Sequence, residues 1–197
     1  RAIDIARQLD LYACFNMLIF DPDTTIESIE TNIDFMRFAA EFPSNFGRVE
    51  LYAGTPLLAR MQKENNVRGD YLSWDYTLGD ARAERTFHLS MRCFETRNFG
   101  VDALANRIMG TRFDVEVARK FHPELVKPEW IEEGKALSRI MTVSGADSLQ
   151  RIVDFVKADG PASGENELVE REATLLRAAE ESVRDRSEEL ARSLMNI

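Results

Sequence analysis

Leu11-Tyr12-Ala13-Cys14-Phe15-Asn16-Met17-Leu18-Ile19-Phe20-Asp21-Pro22-Asp23-Thr24-Thr25-Ile26-Glu27 is the stretch whose reading decides the fold. Leu11 to Ile19 is a compact apolar run with aromatic content, which predicts a buried strand covered on both sides. Phe20-Asp21-Pro22-Asp23 breaks the run, and Thr24-x-x-Glu27 has the spacing of a capping box. In that arrangement Thr24 accepts from the Glu27 amide and the Glu27 carboxylate reaches back, so two donors that a helix start leaves unpaired are satisfied. Ile26, Ile29, Ile33, Met36 and Phe38 to Ala40 then supply an apolar stripe near helical period through about Glu41, and Phe42-Pro43-Ser44-Asn45 ends the helix.

Outward from this unit, Arg1 to Leu9 has an amphipathic helical pattern. Gly47 to Ala53 alternates as Arg48, Val49, Glu50, Leu51, Tyr52, which predicts a strand with one polar and one apolar face. Gly54-Thr55-Pro56 supplies a hinge, a capping hydroxyl and a proline suited to the first helical position, so a short helix is expected over Leu57 to Asn65. Strands alternating with helices across short loops imply a parallel sheet, and two strands alone do not make a stable one. Alternation sends Ala13, Phe15, Met17 and Ile19 of the first strand to the outer helices and Tyr12, Cys14, Asn16 and Leu18 to the opposite face. On the second strand it sends Val49 and Leu51 outward and Arg48, Glu50 and Tyr52 inward. Asn16, Arg48, Glu50 and Tyr52 are thus the candidate binding residues, because buried polar groups pair with one another or meet a ligand. The alternative is an Arg48–Glu50 ion pair on an edge strand that faces water.

Beyond Val67, Arg68-Gly69-Asp70-Tyr71-Leu72-Ser73-Trp74-Asp75-Tyr76 reads as an irregular but packed loop whose aromatics either wall a pocket or fasten the loop to the core. Helices are expected over Ala81–Arg97, Val101–Met109, Val115–Phe121, Pro128–Thr142 and Ala146–Ala158. Lys157 to Asn166 is rich in turn formers and predicts a mobile linker. From Leu168 to Leu194, Leu168, Leu175, Leu176, Ala179, Val183, Leu190 and Leu194 make a narrow seam near heptad spacing, the mark of a docked or self-pairing helix. The expected organisation is therefore residues 1–66, a helical region over 67–158, a linker over 159–166 and an amphipathic helix over 167–197.

A net charge of −9 argues against a sequence-independent grip on nucleic acid and against anionic membrane surfaces. No apolar run approaches the roughly 20 residues that span a bilayer, and a cytoplasmic location is expected. Cys14 and Cys93 are too far apart in sequence for metal-ligand spacing and are expected to be reduced thiols, while His88 and His122 are isolated and expected to be structural. Asp21 and Asp23 flank a proline before a helix and are expected to serve the turn rather than a cation. The start at Arg1 reads as a cut through a longer protein.

The strand ending in Phe20-Asp21-Pro22-Asp23-Thr24-Thr25 with a long helix after it, and then Arg48-Val49-Glu50-Leu51-Tyr52-Ala53-Gly54-Thr55-Pro56-Leu57, resembles the last β/α units of the cobalamin-binding radical S-adenosylmethionine (SAM) enzymes. Gly69-Asp70-Tyr71, Trp74-Asp75-Tyr76 and Arg97-Asn98-Phe99-Gly100 look like the helical tail of that family. The resemblance implies an α/β fold, mostly helical by residue count: the end of a partial TIM-type barrel followed by a mainly α-helical region. It implies a small-molecule substrate, and SAM, a four-iron four-sulfur cluster and cobalamin in a full-length enzyme of methyltransferase or oxidative cyclase type. Asn16, Glu50, Tyr52 and Arg48 would then contact SAM or substrate. The family's Cys-x-x-x-Cys-x-x-Cys and Asp-x-His-x-x-Gly motifs are not in these residues; they are expected upstream of Arg1, so the fragment itself would hold no cofactor and be inactive alone. The rival expectation is a helical module over Val67 to Ile197 that self-associates or binds a partner through its terminal seam.

Overall fold

Strand β1 (Phe15–Phe20) and strand β2 (Ser44–Arg48) pair in parallel in the computed structural model, which describes residues 1–100 and 103–195. The register sets Asn16 beside Asn45, Met17 beside Phe46 and Leu18 beside Gly47, with an irregularity before Phe20 meets Arg48. β1 begins later than its apolar run, and it is not covered on both sides. Ile19 and Phe20 are buried, whereas Asn16 and Leu18 are exposed. β2 lies earlier than the alternation of Arg48 to Tyr52 predicts. Pairing with β1 starts where the Phe15 amide donates to the Pro43 carbonyl, and Phe46 anchors the strand through ring contacts with Phe20 and Phe94. The Val49 amide donates to the Phe20 carbonyl as the last link, and the chain then leaves the sheet, so strand alternation does not assign faces to Glu50, Leu51 and Tyr52.

α1 (Ala2–Gln8) precedes the sheet, and α2 (Ile26–Phe38) connects its strands. The cap of α2 is Thr25 and its box partner is Ser28, one position beyond the expected Thr24 and Glu27. Thr24 is buried, and its hydroxyl is spent on the loop, accepting from the Asp21 amide at 2.8 Å and donating to the Ile19 carbonyl at 3.0 Å. α3 (Pro56–Lys63) forms as expected: Thr55 accepts from the Leu58 amide, Pro56 opens the helix, and Gly54 takes a positive φ of 78° in the turn before it.

The expected irregular loop is instead an antiparallel hairpin of β3 (Arg68–Asp70) and β4 (Ser73–Asp75). Gly69 makes it possible, since its φ is +82° and a Cβ there would stand 2.1 Å from the Ser73 carbonyl oxygen. α4 (Ala81–Phe94), capped by Asp80, continues into a π-helical turn over Glu95–Phe99. α5 (Leu104–Phe121) and α6 (Pro128–Lys157) each run unbroken where two helices were expected; Val101 and Asp102, at the start of the first expected one, lie outside the described residues. Gly145 does not break α6. It sits where α6 passes α2 and α4, with its Cβ position 3.7 Å from Met36 and from Phe94.

The segment expected to be a mobile linker is a tight turn. The Gly160 amide donates to the Phe155 carbonyl, Arg85 of α4 donates to the Gly160 carbonyl and pairs with Glu165 at 2.8 Å, and a single 3-10 turn leads into α7 (Glu165–Leu194). α7 docks along α4, α5 and α6, burying Leu168, Leu176, Val183 and Leu190, while Leu175 remains exposed. Asn196 and Ile197 are outside the described residues. One core joins Ile19 and Phe20 of β1, Ile29 and Ile33 of α2, Leu149 and Ile152 of α6, and Leu168 and Leu176 of α7, so the expected segments share an interior. A second cluster packs Ile108 and Val115 of α5 against Leu137 of α6 and Val183 and Leu190 of α7. The fold is mixed α/β and mostly helical. No helix among the described residues is long and apolar enough to cross a membrane.

Candidate functional site

The exposed face of the sheet is one wall of a cavity of about 880 Å³. Asn16 and Leu18 of β1, and Asn45 and Gly47 of β2, lie on that wall. The remaining walls come from the chain after β2 (Val49, Glu50, Tyr52), from Trp74, Asp75 and Tyr76, from Phe87 and Met91 of α4, from Phe99 of the π-helical turn, and from Asn106 and Met109 of α5. All four residues expected from the sequence, Asn16, Arg48, Glu50 and Tyr52, border this one space.

Their chemistry differs from residue to residue. Arg48 does not pair with Glu50. Its Nη1 donates to Asp75 Oδ1 at 2.8 Å, its Nη2 donates to the Tyr76 carbonyl, and its guanidinium stacks 3.7 Å from the centre of the Tyr76 ring and 4.6 Å from that of Phe87. A half-buried guanidinium held between two rings and a carboxylate is fixed in place. Asp75 also receives Arg68 Nη2 at 2.8 Å. Burial alone would raise the Asp75 carboxyl, but the hydrogen bonds from Arg68 and the Tyr76 amide, with the charges of Arg48 and Arg68, hold it below the ordinary range. The buried Tyr76 hydroxyl lies 2.7 Å from the Val49 carbonyl, which ties the hairpin to the end of β2; burial pushes its pKa up against the opposing pull of Arg48.

Glu50 and Tyr52 are exposed at the cavity margin. The Tyr52 hydroxyl donates to Glu50 Oε2, and that bond and the carboxylate's charge raise the tyrosine pKa. Glu50 has no cationic partner among the described residues, so it is the carboxylate of this cavity with accepting capacity left for a ligand. The Asn16 side chain likewise has no hydrogen-bond partner among the described residues, whereas the Asn45 carboxamide is occupied by the Phe46 amide and the Asn98 carbonyl. The arrangement can grip an apolar body while presenting two amides, Asn16 and Asn106, and one anionic acceptor. Its hydroxyl–carboxylate pair is Tyr52 donating to Glu50 at the cavity margin.

Of the aromatics in the hairpin, Trp74 and Tyr76 line the cavity and Tyr71 is exposed away from it. Asn106, Met109 and Phe99 were not foreseen; they reach the site from α5 and the turn before it, and no local spacing marks them. Asp21 and Asp23 serve their turn, Asp21 accepting from the Asp23 amide at 2.8 Å and Asp23 pairing with Arg60 at 2.8 Å. His88 is exposed within 2.9 Å of Glu84, and His122 ends α5. Cys14 is exposed, and burial pushes the Cys93 thiol up to about 12. Among the described residues, no group of three or more His, Cys, Asp or Glu is placed to hold a metal ion. Comparison with protein-family models, with curated proteins and with solved structures gave no match to this chain.

Proposed function

We propose that this chain is the C-terminal part of a radical SAM enzyme of the cobalamin-binding branch, and that its cavity contacts SAM or a small-molecule substrate. The observation that carries the reading is that Asn16, Glu50 and Tyr52 border one cavity beside a parallel β1–β2 pair. A two-stranded parallel sheet with an exposed Leu18 is an incomplete sheet, and further parallel strands on the open edge of β1 would extend it toward a barrel. In barrel enzymes the chemistry sits at the C-terminal ends of the strands, and the chain leaving β2 at Val49 delivers Glu50 and Tyr52 there.

Within this reading Glu50 accepts hydrogen bonds from hydroxyl or ammonium groups of the bound molecule, Tyr52 orients that carboxylate, and Asn16 donates or accepts through its amide. Arg48 holds the wall by gripping Asp75 and Tyr76 and is a positioning residue. Cys14 and Cys93, one exposed and one buried, do not fit a cluster-binding set, so the cluster and cobalamin would be held by other parts of a longer protein. The cluster would supply the electron that cleaves SAM.

The test uses the longer protein carrying the three-cysteine motif. Glu50→Gln is expected to lower formation of 5′-deoxyadenosine or methylated product by about 10-fold or more, the worth of a hydrogen bond to a charged group, with iron content unchanged. Full activity in that variant would remove the cavity from the reading, and the absence of the three-cysteine motif upstream would remove the family.

A further inference from the structure

The cavity beside the sheet is bordered by apolar surface from several elements. Leu18 on β1 is 55% exposed and Phe99 on the π-helical turn 43%, and both line it; Trp74, Met91 and Met109 add partly covered apolar surface from β4, α4 and α5. Gly47 stands beside Leu18 in the parallel register, and its Cβ position lies 3.9 Å from the Phe99 ring, so the absence of a side chain leaves the space above it to a ligand. Large apolar side chains left open to a concave surface mark a binding site, and about 880 Å³ lies within the roughly 300–1,000 Å³ of small-molecule pockets.

The charges around this space are matched among themselves. Arg48, the cation of the lining among the described residues, donates to Asp75 and to the Tyr76 carbonyl and lies between the Tyr76 and Phe87 rings, and its Nε is buried. Asp75 takes a second arginine, Arg68, from outside the lining. With Arg68 counted, two cations stand against Asp75 and Glu50, so net charge does not define the ligand. What stays open to a ligand is two amides and one acceptor. The Asn16 and Asn106 side chains have no hydrogen-bond partner among the described residues, and the Glu50 carboxylate at the margin receives only the Tyr52 hydroxyl among them.

Resting on the enzyme reading above, we infer that this cavity takes the substrate rather than SAM, and that the substrate is a largely apolar molecule bearing hydroxyl, amide or amine groups but no phosphate or carboxylate. An acid group placed here would give up its water with no free cation to receive it and with Glu50 and Asp75 at hand, a heavier cost than leaving an amide unpaired. SAM brings a carboxylate to the same difficulty. An apolar body removes the open surface of Leu18, Phe99 and Trp74 from water, while its donors meet Glu50 and the two amides.

The probe is N-phenyl-1-naphthylamine, an uncharged aromatic amine, titrated into the whole chain and read by its fluorescence. It is set against 1-anilinonaphthalene-8-sulfonate, the same skeleton with an acid group. One saturable site is expected for the uncharged probe, with the sulfonate bound about 10-fold more weakly. Leu18→Glu, which puts a charge on the wall, and Gly47→Val, which fills the space above the sheet, should each weaken the uncharged probe about 5-fold or more. Phe121→Ser, at an exposed position outside the lining, should leave it unchanged. Unfolding curves that match the wild type's confirm that the variants remain folded. SAM in excess is expected to leave the probe bound. No saturable binding, equal affinity for the two probes, or binding indifferent to both cavity variants would overturn the inference. Displacement of the probe by SAM would overturn it while favouring the enzyme reading, whose own failure shows separately, in 5′-deoxyadenosine formation and the upstream motif.

Discussion

Thr24 and Thr25 stand side by side and do different work. Thr25 caps α2 from an exposed position, and Thr24 closes the loop after β1 from a buried one. Thr25→Ala is expected to cost about 1 kcal/mol, the usual worth of a cap. Thr24→Val should cost about 1–3 kcal/mol, because it leaves the Asp21 amide and the Ile19 carbonyl without the hydroxyl in a buried place. Urea unfolding of the two variants checks the order. Glu180 is a residue of the opposite kind: it is 8% exposed on α7 and accepts no hydrogen bond among the described residues. Burial raises its carboxyl above the ordinary range, against the opposing charges of Arg97, Arg184 and Arg177, and burial likewise lowers Arg97 to about 10. A carboxyl whose pKa is higher folded than unfolded favours the folded state when protonated, so its contribution declines as pH rises from the unfolded value, about 4.3, through the folded one. Glu180→Gln is therefore expected to stabilise the protein at pH 7 and to lose that advantage below about pH 4, which thermal melts at the two pH values would read. A variant less stable at pH 7 would mean that the attraction between Glu180 and Arg97 outweighs the cost of burial.

At the scale of elements, helical glycines sort by what a methyl group would meet. Gly110 of α5 has nothing within 4 Å, and Gly145 of α6 would make ordinary contact with Met36 and Phe94. Gly110→Ala and Gly145→Ala should each stabilise by about 0.5–1 kcal/mol through helix propensity, whereas Gly134→Ala should destabilise, because the buried Arg112 stands at 3.0 Å and has little room to yield. Chemical denaturation of the three variants tests the sorting. The same glycines explain part of what the sequence hides. The helices expected to end at Met109 and Thr142 run on through Gly110 and Gly145, since a break needs a lost backbone conformation rather than a missing side chain. Local signals with a direct mechanism were legible: Thr55-Pro56 opens α3, and the apolar stripe of α2 faces the core. Signals set by distant partners were not. The alternation of Arg48 to Tyr52 resembles a strand, yet pairing with β1 ends at Arg48, and the partner that fixes Arg48 is Asp75 in a hairpin whose pairing depends on Gly69. Asn16, Glu50 and Tyr52 border one cavity, but Glu50 and Tyr52 do so from beyond the end of β2, where face counting does not apply, and Asn106 and Met109 were missed because α5 reaches the cavity only through tertiary packing.

For the molecule as a whole, the decisive feature is that early and late segments of the chain share one core. Leu168 and Leu176 of α7 lie in one core with Ile29 and Ile33 of α2 and Leu149 and Ile152 of α6, so no boundary near residue 160 isolates an independent helix. The turn formers from Asp159 to Gly164 mark a reversal of direction, with Arg85 bracing it through Gly160 and Glu165. Unfolding should then be one cooperative event. Leu176→Ala is expected to cost about 2–5 kcal/mol, as a buried leucine does, and to lower amide-exchange protection in α2 as much as in α7. A helix held only at its own surface would behave differently: α7 would lose protection alone, and α2 would keep the wild-type rate. Hydrogen exchange read by mass spectrometry on the wild type and Leu176→Ala separates the outcomes. Loss confined to α7, or two thermal transitions, would show that the terminal helix is an appendage, and only then would its apolar seam be free to pair with a second copy.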